Sequence, residues 1–312
     1  EMCIRDRIEN IVKTQNPSVV GLDPKLEYVP QYIVEKKIAK YGANCKAAAK
    51  AVLEFNKAII DEIHDICPAI KPQAAYYEMY GYEGVKTLYK TIRYAQEKGM
   101  FVITDGKRND IGTTMEAYAA AHLGKVQVGS QTYEPFLGDA LTVNGYLGSD
   151  GIKPLVATCR DNDKGIFVLV KTSNPSSGEL QDKKIDGVTI YETMGHMCEE
   201  WGKELPGVYG YSGVGAVVGA TYPEQLKYLR EKLPTTFFLI PGYGAQGAGA
   251  KDIAGAFDKN GLGGIVNSSR GIMCAYQKEK CDEHEFAEAA RREAIRMRDE
   301  IMGIVGKISI SK

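Results

Sequence analysis

The chain has 312 residues, 44% hydrophobic and 25% charged, with 39 basic against 40 acidic side chains and a formal net charge of −1. That balance gives no electrostatic reason for a nucleic-acid or membrane-surface partner, and the longest apolar stretches, such as IFVLV at 166–170, are far too short to span a bilayer. Seven scattered cysteines (Cys3, Cys45, Cys67, Cys159, Cys198, Cys274 and Cys281), none in a CxxC pair, argue against a disulfide frame or zinc site and for reduced thiols in the cytoplasm.

The opening EMCIRDR joins poorly to the residues after it, so residues 1–4 are set aside as a candidate non-native extension and the fold is read from residue 5 to 312 as one domain. Strands are expected at Val19–Asp23, Ala69–Gln73, Phe101–Lys107, Ala140–Asn144, Ile166–Ser173, Gly215–Thr221, Phe237–Gly242 and Gly264–Ser268. Several are continuously apolar, as strands buried on both faces are.

Helical patterns fill the gaps. Ala48, Val52, Phe55, Ile59, Ile63 and Ile66 form one apolar stripe; Val85, Leu88, Ile92 and Ala95 form another, closed by Gly99. Thr221-Tyr222-Pro223-Glu224 has the spacing of a capping box for a helix reaching Lys232. Phe286, Ala290, Ala294, Met297 and Ile301 mark a last helix, with Gly303 after it. Eight such units predict a (β/α)8 barrel. The longer polar stretches at 145–165 and 174–213 are expected to be insertions after the fourth and fifth strands.

In such a barrel the site lies at the C-terminal ends of the strands. Those ends carry Asp23, Lys71, Asp105, Lys107, Asn144, Ser173, Thr221, Gly242 and Arg270. Strand alternation puts Asp105 and Lys107 on one face. As an isolated D-x-K pair they would be a surface salt bridge worth under about 1 kcal/mol; within a ring of polar strand ends they form a charged cluster. Such a cluster can repel an anion, hold a lysine and deliver its proton. Lys71 sits in the buried-looking run AIKPQAAYYE, where an ammonium needs a partner unless its stem packs and its tip snorkels out. A Lys71–Asp105–Lys107 network fits better.

The segment Pro241 to Gly249 matches GxGxxG at Gly242, Gly244 and Gly247, but no ribose-binding acid ends the next strand. A phosphate loop fits better, with Gln246 donating and Arg270 supplying a planar, bidentate charge from the eighth strand's end. His64, His122, His196 and His284 lack metal spacing and are read as packed or surface residues. Ser173 lacks a nucleophile elbow and is read as a polar contact to substrate.

Together Val20-Gly21-Leu22-Asp23-Pro24, Lys71, Asp105 to Ile111, Thr172-Ser173-Asn174-Pro175, Pro241 to Gln246 and Ser269-Arg270 resemble the orotidine 5′-monophosphate decarboxylase family, in its longer bacterial branch. The resemblance runs from about Asp6 to the C-terminus. It implies conversion of orotidine 5′-monophosphate to UMP and CO₂ in pyrimidine synthesis, without cofactor or metal, by a homodimer. It also implies a charged tetrad of Lys71, Asp105, Lys107 and Asp110, with Asp110 reaching the partner subunit's site. Asp23 and Thr114 would contact the ribose, Ser173 the pyrimidine, and Gln246 with Arg270 the phosphate; Ile111, Pro241 and Ser269 complete the expected substrate contacts. The alternatives are a Mg²⁺-dependent 3-keto sugar-phosphate decarboxylase or synthase of the same barrel type, a Schiff-base lysine enzyme, and a nucleotide-binding barrel without chemistry.

Overall fold

The computed structural model describes residues 4–244 and 247–310. Residues 1–3 of the possible extension lie outside the described residues, and Ile4 begins a helix, Ile4–Thr14. Eight parallel strands close into a barrel: β1 Ser18–Leu22, β2 Ala69–Pro72, β3 Phe101–Arg108, β4 Ala140–Val143, β5 Gly165–Lys171, β6 Val214–Val218, β7 Phe238–Ile240 and β8 Gly264–Ser268. Each falls on one expected strand. Closure is made by β1 against β8, with Val19 opposite Asn267.

The continuous apolar runs have a physical cause here. Every residue of β1, β2, β4, β6, β7 and β8 is buried, because one face fills the barrel and the other meets the helices. The helix Cys45–Ile63 shows how the second layer forms. Asn44 caps it by accepting from the Ala47 amide, and Val52, Phe55, Ile59 and Ile63 bury its stripe. Each such side chain contributes about 1.5–3 kcal/mol of burial. The helix Gly81–Glu97 buries Leu88, Ile92 and Ala95 and gives way at Gly99, whose φ of +79° suits glycine.

Three expectations change. The helix Pro223–Lys232 starts without a capping box: its N-cap is Tyr222, and the Thr221 hydroxyl instead donates to the Ser173 carbonyl. The last helix, Phe286–Val305, runs through Gly303 and ends at Gly306, at φ +75°. The stretch 145–165 is mostly the fourth unit's own helix, Ser149–Asn162. The added elements are two antiparallel hairpins, Val126–Val128 with Gln131–Tyr133 and Lys184–Ile185 with Val188–Thr189. The second lies within the 174–213 stretch after β5; the first precedes β4.

The barrel's lower end is plugged. The helix Ile4–Thr14 lays Ile8 and Ile11 into a cluster with Phe101, Phe167, Phe237 and Ile265. The Arg7 guanidinium lies 4.0 Å from the centre of the Phe237 ring. The upper end is open, and the site lies there.

Candidate active site

Strand β3 does not keep a regular pleat to its end. Thr104 pairs with Leu141 and Arg108 with Val143, so β3 advances four residues while β4 advances two. Lys107 takes up the excess at φ +46°, a left-handed conformation that costs a non-glycine residue about 1–3 kcal/mol. Asp105 and Lys107 therefore meet through a bulge, not through simple alternation. Backbone strain of this kind persists only where surrounding contacts hold it.

Those contacts centre on Asp105. Its Oδ2 accepts from Lys71 Nζ at 2.6 Å, and its Oδ1 from Lys107 Nζ at 2.7 Å and Thr142 Oγ1 at 2.7 Å. Burial alone would push this carboxyl up; the two ammonium groups outweigh it and hold the group well below the usual carboxylate range. Burial would likewise lower Lys71, but Asp105 and then Asp23 raise it above its ordinary value. Lys71 is enclosed, whereas the Lys107 side chain stays 47% exposed. Both line a cavity of about 760 Å³ in the open mouth of the barrel. Two cations thus share one buried anion, and one of them is accessible to a ligand.

The same cavity gathers Asp23, Ser173, Pro241, Gly242, Ser269 and Arg270. Asp23 Oδ1 is buried there without a hydrogen-bond partner, which leaves an acceptor ready for a ligand hydroxyl. Ser269 approaches β1 closely enough that a Cβ on Gly21 would lie 1.9 Å from its Oγ, so only glycine fits that position. Arg270 opens the short helix Arg270–Met273 after β8. Gln246 lies outside the described residues.

Asp110, Ile111 and Thr114 are elsewhere. They follow the bulge at the start of the helix Gly112–Leu123, outside the cavity lining, and Ile111 is 50% exposed. Asp110 Oδ1 accepts from the Ile111 amide. Asn144 and Thr221, also expected at the rim, make bonds within the loops: Asn144 Oδ1 accepts from the Tyr146 amide in a local turn, and the Thr221 hydroxyl donates to the Ser173 carbonyl of the neighbouring strand's loop. Among the described residues no cluster of His, Cys, Asp and Glu could hold a metal ion. His122 is packed, its ring stacked on Phe136, and burial pushes it down to about 4.

Several lining residues escaped the sequence reading. Lys25, Tyr28, Gln73, Tyr76, Thr142 and Gln181 all border the cavity. Gln181 arrives from the 174–213 stretch and is tied to the rim by its bonds to the Thr172 amide and hydroxyl. Thr142 sat inside the apolar run ALTV, where nothing distinguished it from a strand filler.

The fold and the charge row define a (β/α)8 barrel whose open mouth sets a buried carboxylate between two ammonium groups, from its second and third strands. The chain belongs to the orotidine 5′-phosphate decarboxylase / HUMPS family, whose model matches residues 19–282. Among its relatives, an orotidine 5′-phosphate decarboxylase of Rhodopirellula baltica is 44% identical over 297 residues, covering 94% of this chain and 96% of that protein. One from Clostridium perfringens is 40% identical over 299 residues, covering 96% and 98%. The solved structure of Leishmania donovani OMP decarboxylase matches with a TM-score of 0.71 at 31% identity, covering 96% of this chain and all of that one. Among the described residues no helix is long and apolar enough to cross a membrane.

Proposed function

We propose that this chain converts orotidine 5′-monophosphate to UMP and CO₂ without cofactor or metal, with Lys107 as the proton donor to C6. The carrying observation is the Asp105 carboxylate, ionised between Lys71 and an accessible Lys107. With the substrate carboxylate set against Asp105, the bond from C6 to CO₂ breaks and its electron pair stays on C6. No ring carbonyl is placed to delocalise that pair. The Lys107 ammonium stabilises it and then gives up a proton, yielding UMP; solvent restores the lysine. One charge pair at 4 Å and an effective dielectric of 20 contributes roughly 4 kcal/mol, about a thousandfold in rate. Repulsion from Asp105 adds to this in the ground state.

The rest of the rim would hold the nucleotide. Asp23 takes the ribose, Ser173 the pyrimidine, and Arg270 with Gln246 the phosphate, with Pro241 and Ser269 packing beside them. Binding energy at the phosphate offsets the strain at C6. Asp110, Ile111 and Thr114 would complete the cavity of a second copy in a homodimer. What supports this is their place on the rim, outside their own cavity.

The test is Lys107→Ala. It should keep UMP affinity within a few-fold and lose at least about a thousandfold in kcat. Turnover near that of the unaltered chain would remove Lys107 from the role of acid.

A further inference from the structure

We infer that Thr142 is a positioning residue for the proton donor, its one hydroxyl setting both the Asp105 carboxylate and the backbone of Lys107. The inference rests on the decarboxylase reading above. Thr142 is buried on β4 and borders the cavity. Its Oγ1 lies 2.7 Å from Asp105 Oδ1 and 3.0 Å from the Lys107 amide nitrogen.

A hydroxyl carries one proton, and an ionised carboxylate can only accept. Thr142 therefore donates to Asp105 and accepts from the Lys107 N–H, so neither bond can reverse. Oδ1 is also the atom that accepts from Lys107 Nζ at 2.7 Å. The lysine is thus fixed at both ends, its backbone by the hydroxyl and its ammonium by the carboxylate which that hydroxyl orients.

The register explains why a side chain is needed. The ladder joins Thr104 to Leu141 and Arg108 to Val143, which leaves residues 105–107 bulged opposite Thr142. Lys107, at φ +46°, receives from the Thr142 side chain the acceptor that the bulged ladder does not provide. Valine fills the same space but cannot accept that N–H or donate to Asp105. Because proton transfer depends steeply on placement, the loss should fall on the chemical step and spare ground-state binding.

Two variants separate the hydroxyl from the methyl group. Thr142→Val should lower kcat by about ten- to a hundredfold, since a misplacement of about 1 Å at a reacting group can cost about a hundredfold. Its UMP affinity, which also reports folding, should change less than about threefold. Thr142→Ser, which keeps the hydroxyl and drops the methyl, should recover most of the loss. A kcat for Thr142→Val within twofold of the unaltered chain would overturn the inference. So would a Thr142→Ser variant as slow as Thr142→Val, or a loss appearing equally in UMP affinity. If Lys107→Ala remained active, the reading of Lys107 as proton donor, on which this inference rests, would fail; an inactive Lys107→Ala beside a fully active Thr142→Val would refute only the role of Thr142.

Discussion

At the lower mouth of the barrel Asp139 meets one lysine, Lys164, at 2.9 Å, and also accepts from the Val102 amide and Gln96. At the upper mouth Asp105 meets two lysines and a threonine. Both carboxylates are buried, yet they are displaced in opposite directions. Burial leads at Asp139 and raises its carboxyl despite Lys164; at Asp105 the pair of ammonium groups prevails and lowers it. The lower pair is matched one to one and fully buried, beside the Val102 amide and Gln96. The upper group carries an extra cation, and one of its lysines faces a cavity. Burial of charge thus does not by itself mark a site; a buried carboxylate shared by two ammonium groups, one of them facing open volume, does.

The contrast can be broken at its structural end first. Asp139→Ala strands the Lys164 ammonium in the lower core and should cost about 3–5 kcal/mol in denaturant unfolding. The kcat of the folded fraction should be unchanged. A loss of kcat without a loss of stability would mean that the two mouths are not divided as described.

A smaller effect should appear in acid. The folded Asp105 carboxyl lies below its ordinary value of 3.8, so its stabilisation is complete above about pH 5 and is lost as the pH falls below that value. The folded Asp139 carboxyl lies above 3.8, so the native state takes up that proton first and gains stability relative to the unfolded chain as the pH falls. Urea midpoints measured from pH 5 to pH 2.5 should decline less steeply in Asp105→Asn and more steeply in Asp139→Asn. Parallel curves for the two variants would contradict the opposite displacements.

The barrel was legible because each strand is a short apolar run ending in a polar residue, and buried parallel strands must look like that. Asp23, Lys71, Asp105, Lys107 and Arg270 were legible for the same reason, since a charge at the end of such a run has no role in packing. The bulge in β3 was not, because it depends on the register against β4, a long-range pairing that period-two reasoning ignores. Thr142 was hidden by the same fact: its hydroxyl matters only once the bulge sits opposite it. The helix cap at Tyr222 was misread because Thr221 has a better acceptor in Ser173, on another strand's loop. The hairpins at 126–133 and 184–189 are too short for periodicity to reveal.

The central claim is decarboxylation driven by the chain's own charges. It is tested most directly by following the ultraviolet absorbance of orotidine 5′-monophosphate with the purified chain, before and after exhaustive EDTA treatment. The account predicts complete conversion to UMP at the same rate in both samples. Absence of conversion, or conversion that stops in EDTA and returns with Mg²⁺, would contradict it.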